Sequence, residues 1–445
     1  MLLPRALRHA ATKHEVQTQA AFGSRRSRVQ IKIQPQFRYK GIAVYVLLWY
    51  NVCNATAKNG RTMKIEWMFD LPTDEKSQDY HYESPILIKD NNLYFISCHP
   101  EAVLYVIDTE TGTEKFRIEC AGQSVISSKC FFAEYRDKII IYTGELWVYE
   151  NERLSKFDQV RIDDHINSYI LKDHYFIFAD RSSLWCLNLD LQNLEWKHHI
   201  LNTKPYQAGD ICLFQNAVSC YGNDQLLIID IVSGVIKDQI KISRIDKLFM
   251  PIRLDERTLL IGFTNWSNAG ILKYDTTDKK VLWKSKRSFE GPLLRCKIYR
   301  QDNLVYWVKN DTELVCLDID TGEETYCVKT TPWIYTDPLF IKRCLMYGTA
   351  GRDGYFVNLD AQSGKEKWSM FLKNGCAYFD FCGETVILGD FEKMIYQVDI
   401  ASGNVLQKLP VDGEVVGRIK VYQNNIYTVI WGNENPPVRF IKVKI

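Results

Sequence analysis

The chain has 445 residues, 46% hydrophobic and 25% charged, with Tyr 25, Phe 21 and Trp 11; this balance excludes a disordered polymer and fits a strand-rich globular protein. The formal net charge of +2 conceals an asymmetry: residues 1–62 carry 11 Lys/Arg against the single acid Glu15, which leaves 45 Lys/Arg against 53 Asp/Glu from Met63 onward, a net −8. A mildly acidic body lacks the clustered positive field that a nucleic-acid surface requires.

Residues 1–62 form a non-repeat basic segment. Met1–Lys40 is polar, with Arg25, Arg26 and Arg28 close together, and Gly41–Cys53 is apolar but too short for a transmembrane helix. Three readings compete: an extension upstream of a true start at Met63, an export signal with residues 41–57 as core and cleavage site, or a disordered tail. The 13 cysteines are an odd number, scattered, with no C-x-x-C and no adjacent pair. Cys186, Cys212 and Cys316 sit inside apolar runs. They read as reduced, packed thiols in a cytoplasmic protein, with export as the alternative.

From Met63 to Ile445 a unit of about 42 residues recurs. It reads apolar strand, turn, apolar strand, turn, a strand ending in Asp, a tight turn with Gly, then a strand carrying an aromatic. The Asp–Gly turn is present at Asp108/Gly112, Asp230/Gly234, Asp318/Gly322, Asp360/Gly364 and Asp399/Gly403. The aromatic slot holds Trp67, Phe116, Trp196, Trp283, Tyr326 and Trp368. Asp230 and Asp399 keep the turn without the aromatic, whereas Trp196 and Trp283 follow turns without Gly. Asp accepts from backbone amides ahead of it, and Gly supplies a left-handed residue. The aromatic then lies on the outermost strand, against a neighbouring unit. A single unit cannot bury both its faces, whereas a ring of them can. The expectation is an all-β, closed β-propeller of four-stranded blades, eight or nine in number with seven as the lesser alternative, in a single domain over 63–445. Lys64–Leu71 reads as an orphan fourth strand that closes the ring with a three-stranded C-terminal unit near 415–421, 426–431 and 438–445.

The run Asp360-Ala-Gln-Ser-Gly-Lys-Glu-Lys-Trp368 resembles the repeat of the PQQ-like, quinoprotein alcohol dehydrogenase-like superfamily. The resemblance implies a propeller, and many members are non-enzymatic scaffolds. It does not imply the quinone, because the vicinal Cys pair of the quinone-dependent dehydrogenases is missing here.

Other clusters read as structural. His198 and His199 are strand neighbours that point to opposite faces. Asp163-Asp164-His165, the acidic stretch Asp74, Glu75, Asp79, His81 and Glu83, and the basic run Lys284–Arg287 read as solvated. Asn54, Asn265 and Asn310 begin glycosylation sequons that matter only on export. Trp266, Trp307, Trp333 and Trp431 fall outside the aromatic slot. The functional expectation is a non-catalytic, monomeric scaffold binding a protein or peptide, without cofactor, metal, nucleic acid or membrane span. The alternatives are a channel-centred enzyme of quinoprotein type and an exported carbohydrate-binding or surface module.

Overall fold

The computed structural model describes residues 62–445 apart from 72–84, 98–101, 121–128, 163–164, 167, 201–210, 215, 223–224, 243–244, 246, 266–267, 289–296, 310, 332 and 433–437. Among the described residues there are 36 strands and no α-helix. Strands adjacent in sequence pair antiparallel and form four-stranded blades. Blades one to six span 86–119, 131–156, 168–199, 211–240, 247–288 and 297–329. Blades seven and eight share the 17-residue strand Glu366–Cys382. Its first half completes blade seven, and from Cys376 it is the innermost strand of blade eight. Blade nine takes its inner strands from 413–444 and its outermost strand, Lys64–Asp70, from the other end of the chain. Among the described residues the blades therefore number nine.

Blade nine departs from the three-strand expectation in one respect. Its innermost strand is broken into Gly413–Val415 and Lys420–Tyr422, both paired to Asn425–Gly432. Val416 and Gly417 both donate to the Val429 carbonyl, which bends the chain between the two pieces.

Burial follows strand position. The second strand of blade one, Asn92–Ser97, is buried from Leu93 onward because both of its faces are covered. The outermost strand Lys64–Asp70 alternates exposed and half-buried residues because only one face packs. Neighbouring residues of an inner strand therefore serve different interfaces. Tyr94 and Ile96 pack with Ile139 and Ile141 of blade two, while Leu93 and Phe95 pack with Val429 and Phe440 of blade nine. The apolar residues form nine clusters, each joining one adjacent pair of blades. Nine blades with nine interfaces form a closed cycle.

The closing seam carries charge as well. Glu66 lies 2.8 Å from Lys442 Nζ and 3.4 Å from Lys444 Nζ, and Arg439 lies 3.4 Å from Asp70. The Lys442 hydrogen bond is the largest influence on Glu66 and holds its carboxyl below the usual range. Met63 is buried at the same seam, and its backbone N–H donates to Gln407 Oε1 at 2.6 Å.

The two ends of the ring differ. Tight hairpins lie at one end, among them Asp90-Asn91 (φ 52° and 60°) and Gln423-Asn424 (φ 47° and 60°). Connections between blades lie at the other. The innermost strands of blades three, four and five approach one another in turn, as do those of blades eight and nine, so the first strands surround the axis.

Candidate functional site

The repeat residues sit at the outer edge of the blades, where they join one blade to the next. Asp108 Oδ1 accepts from the amides of Glu110 and Thr111 and from the Thr111 hydroxyl, at 2.9–3.1 Å. These bonds, led by the Thr111 amide, lower its carboxyl to about 2. Asp230, Asp318, Asp360 and Asp399 accept in the same way from residues two or three ahead. Gly112, Gly234, Gly322, Gly364 and Gly403 all have φ between 68° and 72°.

Each of those five glycines lies under an aromatic ring of the preceding blade. Trp67 covers Gly112, Trp196 Gly234, Trp283 Gly322, Tyr326 Gly364 and Trp368 Gly403. The same aromatics donate to a carbonyl in the turn they cover. Trp67 bonds Thr109, Trp196 Ile231, Trp283 Ile319, Tyr326 Ala361 and Trp368 Ile400, at 2.6–3.2 Å. Phe116 has no donor and no glycine beneath it; it stacks on Tyr149, centroids 5.8 Å apart. Where the preceding blade offers no such aromatic, the left-handed turn position is taken by another residue, Gln192 in blade three (φ 51°) and Lys279 in blade five (φ 53°).

None of these residues lines the main cavity. That cavity, about 720 Å3, lies on the axis and is walled by residues of blades one, two, six, seven, eight and nine. Most of its wall comes from innermost strands and the connections that lead into them. Aromatic faces come from Tyr299, Tyr335, Tyr378 and Phe379, and apolar ones from Ile86, Ile334 and Leu339. Three acids and three bases share the wall: Asp311, Asp337 and Asp380 on blades six to eight, and Lys129, Arg418 and Lys420 on blades two and nine. Tyr299 donates to Asp337 Oδ1 at 3.3 Å, and burial, reinforced by that carboxylate, drives its hydroxyl far above the usual phenol range. Asp380 accepts from Phe381 N and Val421 N, both at 2.8 Å, tying blade eight to the strand that carries Lys420.

The repeat did not reveal these wall residues. Tyr299, Leu339, Asp380 and Lys420 stand at one register position of their innermost strands but share no chemistry, and Arg418 sits in the break of blade nine's inner strand. That break was the one available signal.

The remaining candidates separate cleanly. His198 Nε2 meets the Gly234 carbonyl at 2.5 Å, while His199 is exposed. Lys284 lies over the Phe263 ring at 4.2 Å. Trp307 is buried between blades five and six, whereas Trp333 and Trp431 are exposed. Asp163 and Asp164, the acidic stretch 74–83, Trp266, Asn54 and Asn310 lie outside the described residues. Among the described residues no three His, Cys, Asp or Glu side chains converge as a metal site, and no helix is long and apolar enough to cross a membrane.

Comparison with known proteins gives one family match. The model described as outer membrane protein assembly factor BamB matches residues 267–435. No curated protein sequence matches. Among solved structures, BamB from Moraxella catarrhalis is 15% identical with a TM-score of 0.46, covering 86% of this chain and 98% of its own. A europium-containing methanol dehydrogenase is 10% identical with a TM-score of 0.47, covering 86% and 93%. A quinohemoprotein alcohol dehydrogenase from Comamonas testosteroni is 13% identical with a TM-score of 0.49, covering 88% and 77%. With its repeated Asp–Gly turns and its ring of four-stranded blades this chain is a β-propeller, and its residues 267–435 match a PQQ-like repeat family model.

Proposed function

We propose that this propeller is a non-catalytic scaffold that receives a segment of a protein partner at the channel end carrying the inter-blade connections. The observation that carries this reading is the apolar surface left uncovered at that opening. Trp333 is 51% exposed and Leu339 38% exposed, on the connection and strand that wall the cavity. Covering a large apolar side chain is worth about 1.5–3 kcal/mol, and exposed aromatics at a rim are favoured anchors for partners. The matching family is described as a protein assembly factor, which is in keeping with a protein partner.

The test is affinity purification from native extract with in situ cross-linking, comparing the wild type with Trp333→Ala/Leu339→Glu. The expected result is a reproducible protein partner, cross-linked at this end and lost in the double variant. Calcium-dependent dye reduction with an alcohol, on reconstitution with the quinone, would overturn the reading in favour of an enzyme.

A further inference from the structure

The charges in the cavity wall are not equivalent. Both oxygens of Asp380 are engaged by backbone amides, and Asp337 accepts from Tyr299. Lys129, Arg418 and Lys420, by contrast, are exposed into the same space. Among the described residues, no carboxylate or other acceptor lies within bonding distance of any of the three. They cluster on blades nine and two, with blade one between them. The propeller body around them carries a net −8. Hydrogen bonding leaves the wall's carboxylates charged, so the wall is divided: acids lie toward blades six to eight and the three cations toward blades nine and two, where the channel walls focus a local positive field.

Resting on the reading above, we infer that the axial cavity binds an acidic segment of the partner protein, its carboxylates paired with Arg418, Lys420 and Lys129. The guanidinium of Arg418 is suited to a bidentate carboxylate contact, and the two lysines act as point charges. Apolar side chains of the same segment pack on Leu339 and Trp333, which continue the footprint from the cavity to the rim. That extent argues for a chain over a compact anion, because a small carboxylate held by the three cations would leave the apolar rim uncovered. The Asp380–Val421 bond fixes the strand bearing Lys420, so the site is formed before the ligand arrives.

The experiment uses the full chain and a fluorescein-labelled peptide alternating Glu with Leu and Phe, followed by anisotropy. Binding is expected, weakening steeply with salt. The same peptide with Lys in place of Glu should not bind. Arg418→Glu/Lys420→Glu should weaken binding by about tenfold or more. Arg418→Gln/Lys420→Gln should weaken it less, with an unchanged melting curve. Lys408→Glu, on the outer strand of blade eight, should bind as the wild type does. Equal binding by the wild type and the Glu double variant would overturn the inference, as would displacement of the peptide by citrate at concentrations comparable to the peptide's own. A cross-linked partner lost with Trp333→Ala/Leu339→Glu but retained by Arg418→Glu/Lys420→Glu would overturn the acidic ligand alone and leave the scaffold reading standing.

Discussion

Trp283 lies so closely over Gly322 of the next blade that a Cβ built on the glycine would stand 2.4 Å from the indole ring. The indole N–H meanwhile donates to the Ile319 carbonyl at 3.1 Å. Glycine is kept here because of the ring above it. A positive φ alone does not demand it, since Gln192 and Lys279 adopt the same backbone conformation where no donor aromatic arrives.

Gly322→Ala should therefore destabilise the protein by roughly 2–4 kcal/mol, from overpacking plus backbone strain. Gly383→Ala supplies the control. Its φ is 59° but nothing stands within 4 Å of the added methyl, so only about 1–2 kcal/mol is expected. In a double-mutant cycle the cost of Gly322→Ala should shrink in a Trp283→Ala background. Chemical denaturation of the four proteins measures each term, and strict additivity would show that the ring is not the cause.

Acid should loosen the turns before it reaches the cores. Asp108 has its folded value lowered to about 2, and hydrogen bonds also lower Asp318 and Asp399. An unfolded Asp titrates near ~3.9. The stability these depressed groups contribute is fully present above that value and is lost as pH falls through the folded one. The melting temperature should accordingly drop between about pH 4 and pH 2. Asp108→Asn, which keeps an acceptor without the titration, should make that slope shallower.

The closing seam should be a point of weakness. Removing residues 63–71 takes away the outermost strand of blade nine and the Trp67 cover on Gly112, and the purified product should fail to show a cooperative melt. Glu66→Ala is milder. It leaves Lys442, which is 7% exposed, without its carboxylate, at a cost of about 1.5–3 kcal/mol. Lys442→Met in the Glu66→Ala background should recover part of that loss, because the stranded charge is then gone. No recovery would mean that strand packing alone holds the seam.

Cysteine reactivity should report unfolding of whole blades. Burial pushes the thiols of Cys186 and Cys316 up to about 12, and that of Cys376 higher still. Thiolate is the reactive form, so these three should resist iodoacetamide at pH 8 in the native protein and label at the rate of unfolding. Peptide mapping after timed labelling distinguishes them from the less buried Cys212 and Cys382.

The blades were legible because the Asp–Gly turn and the alternating outer strands impose chemistry at fixed offsets. The irregular copies were harder to read. Trp196 looks like the aromatic of a unit that has lost its glycine, and Gly234 like the turn of a unit that has lost its aromatic. In space the two complete each other, since the interacting pair spans two units. The uncertainty between eight and nine blades arises at the degenerate unit whose turn is reduced to Asn151-Glu152, both with positive φ. The cavity wall was illegible for a different reason. Lys129, Tyr299 and Arg418 occupy no equivalent positions, so no period connects them, and only ring closure brings them to one axis.

Completion of blade nine also imposes an order on synthesis. Lys64–Asp70 is made before every blade that follows it, yet its partner Val438–Lys444 is made only after all eight of the others. Until then the early strand has no sheet to join, and blade one lacks the neighbour that covers Leu93 and Phe95. The nascent chain thus carries an open edge and an apolar face until Val438–Lys444 emerges, a state prone to pairing with other chains. Loss of Val438–Lys444 would make that state permanent, so it should injure this protein far more than loss of the same number of residues from a surface connection.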